Sequence, residues 1–422
     1  MSKVLRILVV ALFALLVVCS SYLAGFATAY LTRPASVGVS GFPGFVMPTP
    51  LPTTVPAPTP VHAPVPKDLE KQFQVFWDTW DLVYQEYYGK STLDSQQMIY
   101  GAIRGMLNSL GDPHTSFLDP EQNRITSQDM TGKFEGIGAS IEKKEDKLLI
   151  VAPMDDSPAM KVGLRSGDII AKVDGKETAP LSVMEAVSLI RGPKGTTVTL
   201  TVMRAGVEEP FEVKVVRAEI KFQTVTWKMQ EGQIAYVKLS NNFGAQTAAD
   251  LAKALSEAKT QGAKGWILDL RNNPGGYLDT AVQVTSQFLK SGLVLYEQTG
   301  DGQRQPFPVR RGGLATDLPM VVLVNAYSAS ASEIVAGALQ DAGRAVLIGE
   351  KTFGKGSVQN VHDLSDGSSA HITIAHWLTP NGRDINDQGL QPDIEAKLTD
   401  DDIANNRDPQ LDRALEYLKT GK

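Results

Sequence analysis

Three short apolar runs, at residues 264–270, Met320–Val324 and 345–348, constrain this chain more than any other feature. Each is short and rich in aliphatic and β-branched residues, so each reads as a buried strand rather than a helix. Segments 245–261, 278–289 and 331–339 lie among them, with apolar residues at helical spacing. Strands alternating with helices from residue 230 onward predict an α/β core.

The turns after these strands carry the chemistry. Met320–Val324 is followed by Ser328-Ala-Ser330-Ala-Ser332-Glu333, and Ala331, Ile334, Val335, Ala338 and Leu339 then form one helical face. Ser328, Ser330 or Ser332 therefore sits at a helix N-terminus, where unpaired N–H groups and the helix dipole favour developing negative charge. Serines also simply cap helices. The lysine separates the two readings, because Lys355 follows the next strand with glycines on both sides. Those glycines allow close backbone approach. Continued as a strand, the chain puts Lys355, Ser357 and Gln359 on one face, where Gln359 would orient the amine while Phe353 and Val358 desolvate it.

A lysine base must lose its proton. At an ordinary pKa of about 10.4, the neutral form at pH 7 lies roughly 4.6 kcal/mol uphill. Burial lowers a lysine pKa by up to about 3–5 units, and the neutral amine can then take a serine proton. Upstream, Asp269-Leu-Arg271-Asn-Asn-Pro274-Gly275-Gly276 closes the strand at 264–270 with a Pro-Gly turn, from which Gly276 would present its N–H. The alternative base is one of five histidines. His62 lies in a proline-rich stretch, His114 reads as structural, and His371 and His376 cannot share one strand face at odd spacing. His362 lies with those two on the strands predicted near the C-terminus, and a histidine base stays open as the alternative. There is no HExxH, CxxC or clustered Cys/His set, so neither a metal nor another cofactor is expected.

SASASEI followed by FGKGSVQ resembles the carboxyl-terminal processing peptidases, also called tail-specific proteases, over roughly residues 68–398. The resemblance implies Ser330 as nucleophile, Lys355 as general base and Gln359 as its orienting residue. It also implies an oxyanion hole from the Gly276 and Ala331 N–H groups, and a crotonase-like catalytic core. Asp341 falls on a position the family uses near its active site. Asp341 and Glu333 are supporting candidates, set against the common case of a solvated acid at a helix end.

Residues 132–218 resemble an inserted PDZ domain, with SPA, GLRSGDII and DGK in the expected order. Phe134, Glu135, Gly136, Ile137 and Gly138 would then form the loop that captures a peptide carboxylate. GKFEGIG and GPKGTT lack the spacing of phosphate loops, so no nucleotide is assigned.

Lys3 and Arg6 precede a charge-free run at 7–32. Its helical length of about 39 Å exceeds the roughly 30 Å of membrane hydrocarbon. The charge order points the rest of the chain outward. Residues 1–33 are read as an uncleaved membrane anchor, with a cleaved signal peptide as the alternative. Residues 34–66 contain ten prolines and no charge, a stalk-like linker. The remaining boundaries are a helical region at 67–131, the PDZ unit at 132–218, the peptidase core at 219–398 and a C-terminal helix at 399–422. Within the helical region, Phe73, Phe76, Trp77, Trp80, Val83, Tyr84 and Tyr87 form a stripe read as core or dimer contact. The single cysteine, Cys19, rules out an intrachain disulfide. A net charge of −6 without a basic stretch argues against nucleic acid. The expected function is exported serine endopeptidase chemistry on unfolded or tail-tagged proteins, at a cell membrane or, after signal cleavage, in a periplasmic or secreted form; a homo-oligomer is also expected. A membrane-tethered PDZ scaffold with an inactive core is the alternative, and it leaves the conjunction of Ser330, Lys355 and Gln359 unexplained.

Overall fold

The computed structural model describes residues 67–421 apart from 155, 222, 400, 403, 404 and 406. The anchor and stalk assigned to residues 1–66 therefore lie outside the described residues. Among the described residues, no helix is long and apolar enough to cross a membrane. The chain divides into two units between residues 91 and 92. In the first, helix α1 (Lys67–Glu86) carries the aromatic stripe, and Phe76 meets Trp77 edge-on at 5.1 Å between ring centroids.

The second unit begins with α2 (Ser95–Asn108), capped by Asp94, then β1 (Ser116–Leu118) and α3 (Pro120–Met130). Asp119 and Gln122 close a reciprocal capping box on α3. Next comes β2 (Lys133–Gly136), then β3 (Ala139–Lys144), β4 (Lys147–Pro153) and the short α4 (Pro158–Lys161). They are followed by β5 (Ile169–Val173), β6 (Lys176–Glu177), α5 (Val183–Ile190), β7 (Thr197–Met203), β8 (Phe211–Val216) and β9 (Ala218–Lys221). Strands β3-β4-β5-β7-β8 form one antiparallel sheet around a core that includes Ile150, Ile170, Val198 and Leu200. β2 pairs separately with β9.

The larger core uses β10 (Val225–Gln230), β11 (Ile234–Leu239), α6 (Thr247–Thr260), β12 (Gly265–Asp269) and α7 (Leu278–Ser286). It continues through β13 (Leu293–Thr299), β14 (Arg304–Pro308), β15 (Met320–Val324), α8 (Ala331–Asp341) and β16 (Val346–Gly349). β17 (Ser357–Asp363), β18 (Ser369–Leu378), β19 (Ile394–Glu395) and α9 (Pro409–Thr420) complete it. The sheet order is β10-β11-β12-β15-β16-β19, parallel except for the β10–β11 pair.

Alternation within the central strands explains the layering. Trp266, Leu268, Val322 and Leu347 face a cluster shared with α6, α7 and α8, whereas Ile267, Val321, Leu323 and Ile348 face Ala414 and Leu411 of α9. Strands covered on both faces are apolar throughout, which is why they stand out in the sequence. A second sheet has the order β1-β18-β13-β14 with β17 beside β18, and β17 lines one cleft with the turns after β12 and β15.

Candidate active site

The turns leaving β12, β15 and β16 meet at the carboxyl edge of the parallel sheet, where open α/β sheets bind their ligands. Side-chain hydrogen bonds discriminate among the three serines. Ser328 and Ser332 are fully buried, and their hydroxyls donate to the Leu270 and Asn273 carbonyls at 2.9 Å each. They hold the β15 turn against the β12 turn. Ser330 instead lines the cleft, at φ +52°, a conformation that a residue with a Cβ rarely adopts. The turn fits because Gly275 lies beneath it: a Cβ there would come within 2.8 Å of Ser330 Cβ and 2.7 Å of Ala331 N. Among the described residues, neither Gly276 N–H nor Ala331 N–H finds an acceptor within the chain.

Lys355 lines the same cleft as Ser330, Gly276, Ser357, Val358 and Gln359. Burial lowers its pKa, and the Asp112 charge pulls in the opposite direction. The flanking glycines permit close approach, since a Cβ at Gly354 or Gly356 would come within 2.8 Å of backbone at Gly389 or Asn386. Trp377 Nε1 donates to the Lys355 carbonyl at 3.0 Å. Among the described residues, no hydrogen bond joins Lys355 Nζ to Ser330 Oγ or to Gln359. The Gln359 amide nitrogen donates instead to Ser357 Oγ (2.9 Å) and Thr373 Oγ1 (3.1 Å). Phe353, expected to desolvate the amine, is 58% exposed; it borders Lys355 on the cleft's other side with His114 and Tyr327.

Glu333, the supporting candidate set against the common case of a solvated helix-end acid, is not solvated. It is fully buried at the start of α8. Oε2 accepts from Ser330 N–H and Lys355 N–H, both at 2.9 Å, and Oε1 from Gly354 N–H (2.7 Å) and Thr352 Oγ1 (2.6 Å). One carboxylate thus ties the backbone of the candidate nucleophile to that of the candidate base. Burial raises its pKa, and the four hydrogen bonds oppose that rise. Asp341, at the other end of α8, accepts from Asn381 N–H and pairs with Arg383. It is not among the cleft-lining residues.

Models of Peptidase family S41 match residues 233–396, of the PDZ domain 136–215, and of the Activating protease CtpB N-terminal domain 59–122. The chain is 41% identical over 332 residues to the carboxy-terminal-processing protease of Bartonella bacilliformis, spanning 77% of this chain and 75% of that one. It is 40% identical over 346 residues to the carboxyl-terminal-processing protease of a Synechocystis species, spanning 80% and 81%. Among solved structures, the photosystem II D1 C-terminal processing protease superposes with a TM-score of 0.52 at 31% identity, over 77% of this chain and 92% of that one. The chain belongs to peptidase family S41. It is a serine-type endopeptidase with a PDZ unit, and its substrates are proteins.

In this S41 peptidase the expected carboxylate loop is partly a strand. Phe134, Glu135 and Gly136 belong to β2, paired with β9, and only Ile137 and Gly138 form the turn into β3. The physical reason is β9, which supplies the hydrogen bonds that a free loop would have left open. A small groove between β3 and α5 is lined by Phe134, Ile137, Gly138, Ala139, Ile141, Val187, Ile190 and Arg191. Glu135 points elsewhere, accepting from Lys194 N–H. Gly138, at φ +73°, has no room for a Cβ, which would lie 2.5 Å from Ser157.

Two histidines flank Lys355. His114 and His371 both have lowered pKa values, through burial and then through the Lys355 charge. The His371 ring pairs with Ser369 Oγ at 3.1 Å rather than with Ser330. The sequence reading also gave no role to Asp269 and Arg271. Asp269 is buried at the end of β12 and accepts from the Arg271 guanidinium. Arg271 also donates to Asp408 and Gln410 at the start of α9, at 2.8 and 2.9 Å. Opposite charges two residues apart at the end of an apolar strand were the available signal.

Proposed function

We propose that this peptidase cleaves through an acyl-enzyme on Ser330, with Lys355 as general base, after reading a free substrate carboxyl terminus in its PDZ groove. The observation that carries the catalytic part is the buried Glu333 carboxylate, which holds the backbones of Ser330 and Lys355 together at one cleft. The neutral Lys355 amine takes the hydroxyl proton as Ser330 Oγ attacks the substrate carbonyl carbon. The resulting oxyanion accepts from Gly276 and Ala331 N–H, each donor of this kind being worth roughly 3–4 kcal/mol in the transition state. Collapse breaks the C–N bond, and the Lys355 ammonium gives its proton to the leaving amine. Lys355 then takes a proton from the water that hydrolyses the ester. Gln359 orients the lysine. A crotonase-like core is consistent with the parallel sheet and its carboxyl-edge cleft.

Tail recognition rests on the edge position of β3, which leaves one side of that strand open for an added peptide strand beside an apolar groove. A charged terminal side chain would go unpaired in that groove. The charge-free run at 7–32 supports a single-pass anchor with the catalytic domain outside the cytoplasm, or secretion or periplasmic release if that segment is cleaved. The aromatic stripe of α1 supports homo-oligomerisation.

The test compares unfolded substrates that differ only at their C-termini. Amidating the tail, or ending it in Asp, should slow cleavage without moving the bond cut. Equal rates for all three would end the tail-reading proposal, and cleavage by Ser330→Ala would end the proposal for the nucleophile.

A further inference from the structure

We infer that the depression bordered by His114, Pro274, Tyr327, Ala329, Phe353 and Lys355 is a substrate subsite for an apolar side chain of the acyl fragment, the part of the substrate left on Ser330. The inference rests on the acyl-enzyme and tail readings proposed above and deepens them, because it assigns each half of the substrate to one side of Lys355.

Exposed apolar residues scattered singly are ordinary on protein surfaces. Tyr327 and Phe353 are not placed singly. Tyr327 lies three positions before Ser330, on the turn after β15, and Phe353 lies two before Lys355, on the loop after β16. They are 70% and 58% exposed, yet both border one cavity of about 650 Å³. Ligand sites commonly measure about 300–1,000 Å³. The backbones beneath the two rings are fixed: Phe353 N–H donates to the Ser328 carbonyl at 3.1 Å, and Tyr327 N–H to Asn325 Oδ1 at 3.2 Å. Asn325 also exchanges hydrogen bonds with Asn272, on the turn after β12, at 2.8 and 2.9 Å. An aromatic surface on a backbone fixed before binding loses little freedom when a ligand packs against it.

Lys355 and Pro274 border both this depression and the cleft that holds Ser330 and Gly276, so the two spaces adjoin at the reacting centre. The Ser330 cleft also reaches the PDZ unit. Met184 of α5 and Asp129 of α3 line it, and Asp129 pairs at 2.8 Å with Arg191, which lines the groove between β3 and α5. When a substrate is held by its carboxyl terminus in that groove, the stretch between the groove and the cut bond is the leaving fragment. That fragment takes the route past Met184 and Asp129. The acyl fragment then runs to the other side of Lys355, where none of the bordering residues belongs to the PDZ unit.

The lining selects the side chain. The rings of His114, Pro274, Tyr327 and Phe353 offer flat faces to an aliphatic or aromatic group. Among the described residues, no carboxylate borders the depression, so a basic side chain would go unpaired there. An acidic one would pair with Lys355 and favour its ammonium form, which removes the base.

The experiment uses the full chain and one parent peptide with a free carboxyl terminus, substituted in turn with Leu, Phe, Asp and Lys at each position near the cut bond, on both sides of it. Measurements of kcat/KM compare wild type with Phe353→Ala and Tyr327→Ala. Both side chains are largely exposed, so both variants should melt as wild type does. Wild type should prefer Leu or Phe over Asp and Lys by at least roughly tenfold at one acyl-side position. Phe353→Ala and Tyr327→Ala should each cut that preference by roughly threefold to tenfold, the size of one aromatic contact, and leave the preferences on the leaving side unchanged. No such preference in wild type, a preference unmoved in either variant, or a change on the leaving side would overturn the inference. Cleavage of the same peptides by Ser330→Ala would instead overturn the acyl-enzyme reading beneath it. If amidating the tail has no effect while both variants still shift an acyl-side preference, the tail reading fails and the subsite stands.

Discussion

Helix α8 carries an acid at each end, and the two behave as opposites. Glu333, at the start, accepts from four donors belonging to residues 330, 352, 354 and 355. Asp341, at the end, accepts from the turn at Asn381 and pairs with the half-exposed Arg383. Both acids share a helix, yet only one is coupled to the site. The difference lies in which segments donate: Glu333 gathers the loop after β16 onto the turn after β15, whereas Asp341 anchors a turn remote from the cleft.

The contrast can be broken outright at the residues that Glu333 joins. Ser330→Ala and Lys355→Ala should each lower kcat by at least roughly 10³-fold in a peptide assay, with melting temperatures near wild type. Normal turnover in either would leave Glu333 with nothing catalytic to join. A Cβ at Gly275 should act almost as strongly, since it meets both Ser330 and Ala331 N. Gly275→Ala is therefore expected to lower kcat by roughly 10²-fold or more.

The contrast is sharpened by exchanging carboxylates for amides. An amide has one accepting oxygen, so Glu333→Gln orphans two of the four buried donors, at about 1–3 kcal/mol each. Denaturant unfolding should show a loss of about 2–6 kcal/mol, and kcat should fall with it. Asp341→Asn keeps an acceptor for Asn381 and loses only a pair with a half-exposed arginine, so about 1 kcal/mol or less is expected, with kcat unchanged. Equal losses in the two variants would erase the distinction.

The pH dependence is subtler. Because burial lowers the Lys355 pKa, kcat/KM should rise as the amine loses its proton, over a window below the ordinary lysine value. The sign for stability is the same. Between the lowered and ordinary values the unfolded chain binds the proton that the folded chain has released, so stability rises with pH there. Lys355→Met should flatten that slope in unfolding curves collected across the window. The smallest effect expected is from chelators, which should leave the rate unchanged; loss on metal removal with restoration by one added metal would contradict a Ser/Lys mechanism.

Legibility from sequence followed the range of the interaction. Met320–Val324 is visible as a strand because helices on one face and α9 on the other leave it wholly apolar. The glycines around Lys355 announce close approach by composition alone. The choice among Ser328, Ser330 and Ser332 depends on two carbonyls, at Leu270 and Asn273, that lie 58 and 59 positions away, and no local pattern encodes them. The same holds for residues 134–136, which the PDZ resemblance reads as part of a loop until β9 supplies a partner. Glu333 could be held only as a supporting candidate for a similar reason: three of its four donors are backbone N–H groups, which every sequence contains and none advertises.

The Arg271 clamp sets an order on synthesis. The loop carrying Gly275 and Gly276 is held by Asp408, 137 positions later in the chain. A ribosome therefore releases Gly276, Ser330, Ala331 and Lys355 before Asp408 and Gln410, which hold Arg271. Newly made chains lack this clamp until the start of α9 has emerged and docked.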